Sequence, residues 1–302
     1  QADVISGFLE WENDLAHRAW PGLPTTTNMA GPLDSWYPLR AADNYRFSRG
    51  LDFAGVDVYC DASVSRHGPA YALAMTRGVA GHRPFEVLES DVFDPKKFAG
   101  IDEDRLGAML RGFAWMQVGH GARGILLWWG GGGDYELTDG HFNTRLAVMR
   151  DVLHQAGMLG LGSFHKRPPK VAVVVDPDSY LYYGGKGKEP PYFLDKTAQG
   201  LYGCLADHQV EADVIFADQV RAGDARRYRA LLLSALLKEH TVERLRRRVP
   251  LRDAGHRLLT REAARRLHRV ARRVERGHGA VLRSRASRHA HLLRGREVSG
   301  LC

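Results

Sequence analysis

Strand-like and helix-like segments alternate through the first half of the sequence, and this alternation constrains the fold more than any other feature. Extended apolar patterns cover residues 24–29, 51–59, 84–88 and 124–129, and helical patterns cover 3–18, 69–79, 102–118 and 144–158. Helices of this length between consecutive strands act as crossovers, which make neighbouring strands parallel. The sequence therefore predicts an α/β fold with a parallel sheet, whose functional site lies at the carboxyl ends of the strands.

A second α/β unit follows a linker at 163–170, where Pro168-Pro169 disfavours helix. The patterns beyond it predict strands at 171–175, 212–216 and 230–236, helices at 193–209 and 241–249, and a loop at 180–191. This unit resembles a flavodoxin-like domain that stops early. We therefore expect three parts, covering residues 1–162, 168–249 and 250–302.

The net charge of +8 comes from the end of the chain. Residues 251–302 contain fourteen Arg, four acidic residues and no Phe, Tyr or Trp, while the first 250 residues carry a net charge of −2. An Arg-rich segment can bind nucleic acid or anionic lipid, or it can be a disordered extension. It can also be an out-of-frame translation of GC-rich DNA. We favour the last interpretation, with the frame lost near residue 249, and regard nucleic acid as an unfavoured partner.

Several classes of protein are disfavoured by composition. No apolar run reaches 18 residues, so we expect no membrane-spanning helix and no membrane partner. The three cysteines, Cys60, Cys204 and Cys302, are too scattered for a disulfide framework or a CxxC metal site, which favours a cytoplasmic protein. The histidines form no HxxxH or HExxH pair, so no metal site is predicted.

Polar and aromatic residues stand at or after the ends of the four predicted strands. In chain order they are Asn28, then Asp57 and Tyr59, then Glu89, and finally Trp128 and Trp129 followed by Glu136 and His141. Retaining glycoside hydrolases use two carboxyl groups about 5–5.5 Å apart, one as nucleophile and one as acid/base. For Asn28, Asp57 and Tyr59, structural hydrogen bonding is as good an explanation as contact with a sugar.

The chain is similar to the family 42 glycoside hydrolases, which are retaining β-galactosidases. The segments PTTTNMAGPLD, LDFAGVDVY, RPFEVLES and HGARGILLWW match the second half of that family in order and spacing. The resemblance runs from residue 1 to about 248. It implies the C-terminal half of a (β/α)8 TIM barrel, strands five to eight, followed by a truncated flavodoxin-like trimerisation domain. It also implies a carbohydrate substrate, a homotrimeric complete enzyme, and no organic cofactor or essential metal.

The resemblance gives roles to the residues at the strand ends. Glu89, at the end of the seventh barrel strand, is the expected nucleophile. The segment 57–59 stands where the family has a D-N-Y segment that lines the sugar site. Glu136 and His141 are expected to hold sugar hydroxyl groups, and the Trp128-Trp129 pair can stack on a pyranose face.

The chain departs from the family pattern at several points. Leu88-Glu89-Ser90 replaces the usual M-E-Q, and Lys97 stands near a family Trp. The step from Glu136 to His141 is five residues rather than three. The N-E pair that holds the family's acid/base Glu has no counterpart; Glu10, Glu12 and Asn13 lie on the helix at 3–18, where they are expected to face solvent.

We therefore expect the acid/base Glu upstream of Gln1, together with barrel strands one to four, and expect this chain alone to be an inactive fragment. Two alternatives stay open. One is a non-catalytic carbohydrate-binding or scaffold protein on a decayed barrel, and the other is a nucleic-acid-binding protein that uses the Arg-rich tail.

Overall fold

A computed structural model describes residues 2–29, 43–60, 67–91, 93, 98, 100–128, 144–160, 167–184, 192–234 and 257–258. The chain divides into two compact units, Gln1–Leu258 and Leu259–Cys302. All described residues lie in the first unit, which contains two sheets with parallel pairing throughout. The predicted α/β class with parallel sheets is therefore confirmed.

Four strands form the first sheet, in the order β1-β2-β3-β4. Their bounds are β1 Asn28–Met29, β2 Ala54–Val58, β3 Phe85–Ser90 and β4 Ala122–Leu127. The first two are shorter than predicted, whereas β3 extends past the predicted end at residue 88. Glu89 consequently lies within a strand instead of after it.

The helices of this half alternate with the strands as predicted. They are α1 Ala2–Ala19, α2 Asn44–Arg49, α3 Gly68–Val79, α4 Glu103–His120 and α5 Thr144–Met158. The short helix α2 was not predicted. Its start depends on Asp43, whose side chain accepts hydrogen bonds from the backbone N–H groups of Tyr45 and Arg46.

The first hydrophobic core lies between the sheet and helices α3, α4 and α5. Val56 and Val87 of the strands pack there with Leu73, Leu106 and Leu110 of the helices, and all five are buried. Burial of side chains of this size contributes about 1.5–3 kcal/mol each, so this layer stabilises the sheet that carries the site.

The second sheet has the order β6-β5-β7-β8. Its elements are β5 Val171–Val175, α6 Pro177–Gly184, α7 Tyr192–Asp207, β6 Ala212–Phe216, α8 Ala217–Ala222, a 3-10 turn at Asp224–Arg227, β7 Ala230–Leu233 and β8 Arg257–Leu258. The predicted helix at 241–249 lies outside the described residues. The flavodoxin-like assignment of residues 168–249 stays a prediction.

The loop predicted at 180–191 is wrong over residues 180–184, which belong to α6. Asp176 begins this helix, since its carbonyl accepts the N–H groups of Ser179 and Tyr180 and its carboxylate accepts the Ser179 hydroxyl at 2.7 Å. The tyrosines and glycine of this segment favour a loop when the sequence is considered alone. The buried cap outweighs that local preference.

A buried ion pair joins the two sheets through helix α3. Arg77 of α3 is 3 % exposed and donates from Nε to Asp213 Oδ1 of β6 at 2.7 Å, while Asp213 is fully buried. Asp213 Oδ2 lies 2.9 Å from His82 Nε2 and accepts the Tyr228 hydroxyl at 2.8 Å. The helix approaches closely here, because a β-carbon at Gly78 would lie 2.2 Å from the Val214 carbonyl oxygen.

Within the part of the chain that the structure describes, no helix combines the length and the apolar character needed to cross a membrane.

Replacing Asp213 with Asn should destabilise the protein by about 3–5 kcal/mol, because it removes the buried counter-charge of the Arg77 guanidinium and leaves only the exposed Glu211, 3.4 Å from Arg77 Nη1. Denaturant-induced unfolding of the wild type and the variant measures this difference. Asp224→Asn is the matched control, since Asp224 and Arg227 form a half-exposed pair at 4.0 Å and such pairs contribute only about 0–1 kcal/mol.

The stabilisation by Asp213 should also depend on pH. Burial alone would raise the pKa of Asp213, but the hydrogen bonds and charges of His82, Arg77 and Tyr228 outweigh burial and lower it. An unfolded Asp titrates near pH 3.9. The wild type should therefore keep the full contribution above about pH 4 and lose it as the pH falls through the lower pKa of the folded state. A pH-independent difference from Asp213→Asn in this range would contradict this assignment.

Candidate active site

Three side chains meet at the carboxyl edge of the first sheet. Asn28 belongs to β1, Tyr59 follows β2 directly, and Glu89 lies near the end of β3. Because these strands are neighbours and parallel, their carboxyl ends reach the same edge. The structure therefore brings together three of the residues that the sequence singled out.

The Glu89 carboxylate accepts one hydrogen bond at each oxygen. Asn28 Nδ2 donates to Glu89 Oε1 at 2.7 Å, and the Tyr59 hydroxyl donates to Glu89 Oε2 at 2.6 Å. Hydrogen bonds to an ionised carboxylate are shorter and stronger than neutral ones. Both donors therefore fix the direction of the Glu89 oxygens.

The Tyr59 hydroxyl is a donor because its ionisation is suppressed. Burial raises its pKa, and the hydrogen bond and negative charge of Glu89 raise it further, with smaller contributions from Asp57 and Asp91. Tyr59 consequently stays protonated at any physiological pH. Its proton is available to Glu89 throughout the range in which a carboxylate is ionised.

Irregular strand pairing turns Glu89 away from the helices. Phe85 and Val87 of β3 pack toward the helices, and strict alternation would send Glu89 to the same side. The register between β3 and β4 shifts between Val87 and Ser90, and Ser90 turns toward the helices in place of Glu89. A bulge of this kind re-aims a side chain next to a functional site.

Buried polar contacts fix the chain around Glu89. Gln117 of α4 donates from Nε2 to the Ser90 hydroxyl at 2.8 Å, and the Ser90 carbonyl accepts the Trp128 N–H at 3.0 Å. Asp91 accepts the backbone N–H groups of Cys60 at 3.1 Å and Phe93 at 2.8 Å. These contacts could not be predicted from the sequence, because a single polar residue in an apolar helix or after a strand has no distinctive pattern.

Two of the remaining candidate residues lie in the described part of the chain, and three do not. Asp57 pairs with Glu89 in the register of β2 and β3 and lies half-buried beside it. Trp128 follows β4 with 50 % of its surface exposed, as a sugar-stacking ring requires. Trp129, Glu136 and His141 lie outside the described residues.

Glu86, a second acidic residue of β3, and the helix at the start of the chain also have clear positions. Glu86 lies over the next strand, where a β-carbon at Gly124 would be 2.9 Å from Glu86 Cδ. On α1, Glu10 and Glu12 are exposed, as expected. The expectation for Asn13 is wrong, because its side-chain oxygen accepts a hydrogen bond from the Thr25 hydroxyl and the residue is half-buried.

The raised pKa of Tyr59 leads to a spectroscopic prediction. At pH 11 a free tyrosine with its pKa of about 10 is mostly ionised, but Tyr59 should stay protonated. Carbon-13 NMR of protein labelled at tyrosine Cζ measures this, with the resonance assigned by its loss in Tyr59→Phe. In Glu89→Gln the pKa should fall but stay above the ordinary value, because burial persists. Ionisation of wild-type Tyr59 near pH 10 would contradict the geometry.

Comparisons with known proteins find a related family and similar folds. The family model described as beta-galactosidase, glycoside hydrolase family 42, matches residues 1–130. A comparison with curated proteins finds no match. Among solved structures, the β-galactosidase of Bacillus circulans sp. alkalophilus is similar over 82 % of this chain, with 20 % identity and a TM-score of 0.65. The β-galactosidase of Halorubrum lacusprofundi is similar over 82 %, with 22 % identity and a TM-score of 0.61.

The similarity covers only part of each of those proteins. The chain spans 37 % of the Bacillus structure and 39 % of the Halorubrum structure. It also matches 38 % of Gan42B, a GH42 β-galactosidase of G. stearothermophilus, with 19 % identity and a TM-score of 0.62. At identities this low, the structural similarity establishes the fold alone. The sequence relationship rests on the family-model match over residues 1–130. The chain is thus GH42-like in sequence over residues 1–130 and shares the fold of part of the GH42 TIM-barrel β-galactosidases.

Proposed function

We propose that the chain is part of a retaining glycoside hydrolase that acts on terminal β-galactosides or a related β-glycoside, and that it contains the C-terminal half of the catalytic barrel. The observation that carries this proposal is the Glu89 carboxylate, held at both oxygens by Asn28 and Tyr59 at the carboxyl edge of a parallel sheet. A nucleophilic carboxylate must be fixed in direction, and these two contacts supply that.

In the proposed reaction Glu89 attacks the anomeric carbon and forms a glycosyl ester. A second carboxylic acid protonates the leaving oxygen, then removes a proton from the water that hydrolyses the ester. Asn28 and Tyr59 orient Glu89, Asp57 lies beside it to receive sugar hydroxyl groups, and the exposed Trp128 ring offers a stacking surface. Every step uses side chains and water, so the proposal requires no cofactor.

We infer that the acid/base belongs to a preceding segment of a longer protein. The chain spans only about two fifths of the β-galactosidases that it matches. Helix α1 also carries an exposed apolar stripe, Val4, Phe8, Trp11 and Leu15, with steps of four, three and four residues on one helix face. A barrel half preceding α1 would cover this stripe.

Two further expectations belong to the complete enzyme. The sequence of residues 168–249 resembles a flavodoxin-like trimerisation domain, which favours a homotrimer, and the three scattered cysteines favour the cytoplasm. The carbohydrate substrate is the partner that the site chemistry favours.

Covalent labelling tests the role of Glu89 in the chain as it exists. A 2,4-dinitrophenyl 2-deoxy-2-fluoro-β-galactoside has a leaving group that needs no protonation, so the missing acid is not required for ester formation. We expect slow release of one equivalent of dinitrophenolate and a glycosyl adduct on the peptide that contains Glu89, detected by mass spectrometry.

The controls separate the two parts of the proposal. Glu89→Gln should abolish labelling, whereas Glu86→Gln, a change of the same kind in the same strand, should leave it intact. Labelling of any other residue, or none, would overturn the assignment of the nucleophile. Turnover of an unactivated nitrophenyl β-galactoside by the chain alone, abolished by Glu89→Gln, would instead overturn the inference that the acid/base is missing.

The exposed stripe on α1 gives a second prediction. Phe8 and Trp11 are 53 % and 54 % exposed, so the double variant Phe8→Gln/Trp11→Gln should change the free energy of unfolding by no more than about 0.5 kcal/mol. It should also reduce self-association, because exposed apolar patches promote it. Urea unfolding and light scattering measure the two effects.

Leu106→Gln is the matched control for this prediction. Leu106 is fully buried in the first core, and a polar amide there should destabilise the protein by several kcal/mol, on the order of a large core substitution. A loss of stability in the stripe variant comparable with that of Leu106→Gln would show that α1 is covered within this chain.

A further inference from the structure

Asp91 makes an unusual set of contacts directly behind the site. It is the first residue after β3 and is 3 % exposed. Its Oδ2 accepts the Cys60 N–H at 3.1 Å, and its Oδ1 accepts the Phe93 N–H at 2.8 Å. Its own N–H donates to the Val58 carbonyl at 3.2 Å.

These contacts bracket the backbone of Tyr59. Val58 precedes Tyr59 and Cys60 follows it, so a single residue holds the peptide groups on both sides. Asp91 is also two residues from Glu89 on the same chain segment. The distance between the Tyr59 hydroxyl and Glu89 Oε2, 2.6 Å, therefore depends on a residue that touches neither atom.

The segment after Asp91 adopts a conformation that needs such an anchor. Phe93 has a φ of +56°, which bulky side chains rarely adopt. The hydrogen bond from the Phe93 N–H to Asp91 holds the backbone in this conformation. The Phe93 residue is 1 % exposed, and its ring packs against the rings of Phe98 and Phe113 with centroid distances of 5.3 and 5.5 Å. Strained backbone of this kind persists only where the surroundings fix it, and it concentrates at functional sites.

The side chain at this position has two backbone N–H groups to satisfy, those of Cys60 and Phe93. An apolar residue would leave both without this acceptor, which is costly for buried groups. A carboxylate can accept both at once, with one oxygen for each strand segment.

We propose that Asp91 is a positioning residue that sets the geometry of the Tyr59–Glu89 hydrogen bond by clamping the ends of β2 and β3 together. The mechanistic meaning of this clamp rests on the proposed function, in which Glu89 is the nucleophile. The clamp itself is a statement about geometry, and its test does not depend on turnover.

A double-mutant cycle on the folded 302-residue chain tests the clamp at neutral pH. The readout is the Cζ chemical shift of Tyr59, which responds to the hydrogen bond that its hydroxyl donates. With Asp91 present, Glu89→Ala should shift this resonance strongly. In the Asp91→Ala background, the same Glu89→Ala change should have at most a third of that effect, because the pair is no longer held together.

The Asp91 charge can itself affect the Tyr59 chemical shift, but this direct effect cancels in the cycle. Asp91→Ala and Asp91→Ala/Glu89→Ala both lack the charge, so their difference reports only the effect of Glu89. Asp102→Ala is the matched control for lost structure: Asp102 begins α4 by accepting the Arg105 N–H at 2.8 Å, and it has no contact with the site. It should leave the Glu89-dependent shift unchanged. Asp91→Asn retains one acceptor oxygen, so it should give an intermediate value and replaces Asp91→Ala if that variant does not fold.

A full Glu89-dependent shift in a folded Asp91 variant would overturn the clamp, whatever the labelling experiment finds. Failure of Glu89 to react with the fluorinated galactoside, with the clamp cycle giving the expected result, would overturn the proposed function and leave the geometry of Asp91 intact.

Discussion

The parallel pairing of β1, β2 and β3 determines where every polar group of the site can lie. Asn28 and Glu89 belong to strands separated by β2, and neighbouring strands are about 4.8 Å apart, so their side chains must meet across the intervening strand. Gly55 of β2 pairs with Asn28 and leaves room for a neighbouring side chain of β3. A β-carbon there would lie 2.3 Å from Leu88 Cδ1 and 2.8 Å from the Thr27 carbonyl oxygen, so Leu88 can pack over β2 only because this position has no side chain.

The same edge collects negative charge that the fold must accommodate. Asp57, Glu89 and Asp91 lie within a few residues of one another along paired strands, and like charges this close repel one another. The contacts offset this repulsion by donating hydrogen bonds to the carboxylates: Glu89 receives two from side chains, and Asp91 receives two from the backbone. The Tyr59 hydroxyl adds no negative charge, because burial and Glu89 raise its pKa and keep it protonated.

The order of strands and helices could be predicted from the sequence because apolar periodicity is local. Asn28, Tyr59 and Glu89 could be identified because parallel strands deliver their carboxyl ends to one edge, whatever the exact strand bounds. Helices α2 and α6 could not, since each depends on a buried Asp cap, Asp43 or Asp176, that a turn-rich segment conceals. The register shift before Ser90 was equally inaccessible, because a bulge is fixed by pairing with β4 and not by the β3 sequence.

The Arg77–Asp213 contact was also unpredictable, since the two residues are 136 positions apart, yet it bears directly on the site. Helix α3 connects β2, which leads to Tyr59, with β3, which carries Glu89. Asp213 holds both Arg77 near the end of α3 and His82 in the turn that follows. The second sheet thus restrains the helix and turn that set the relation between the two strands. A disturbance at Asp213 should therefore reach the Tyr59–Glu89 pair through the backbone of β3, although no residue of the second sheet has a described contact with Glu89.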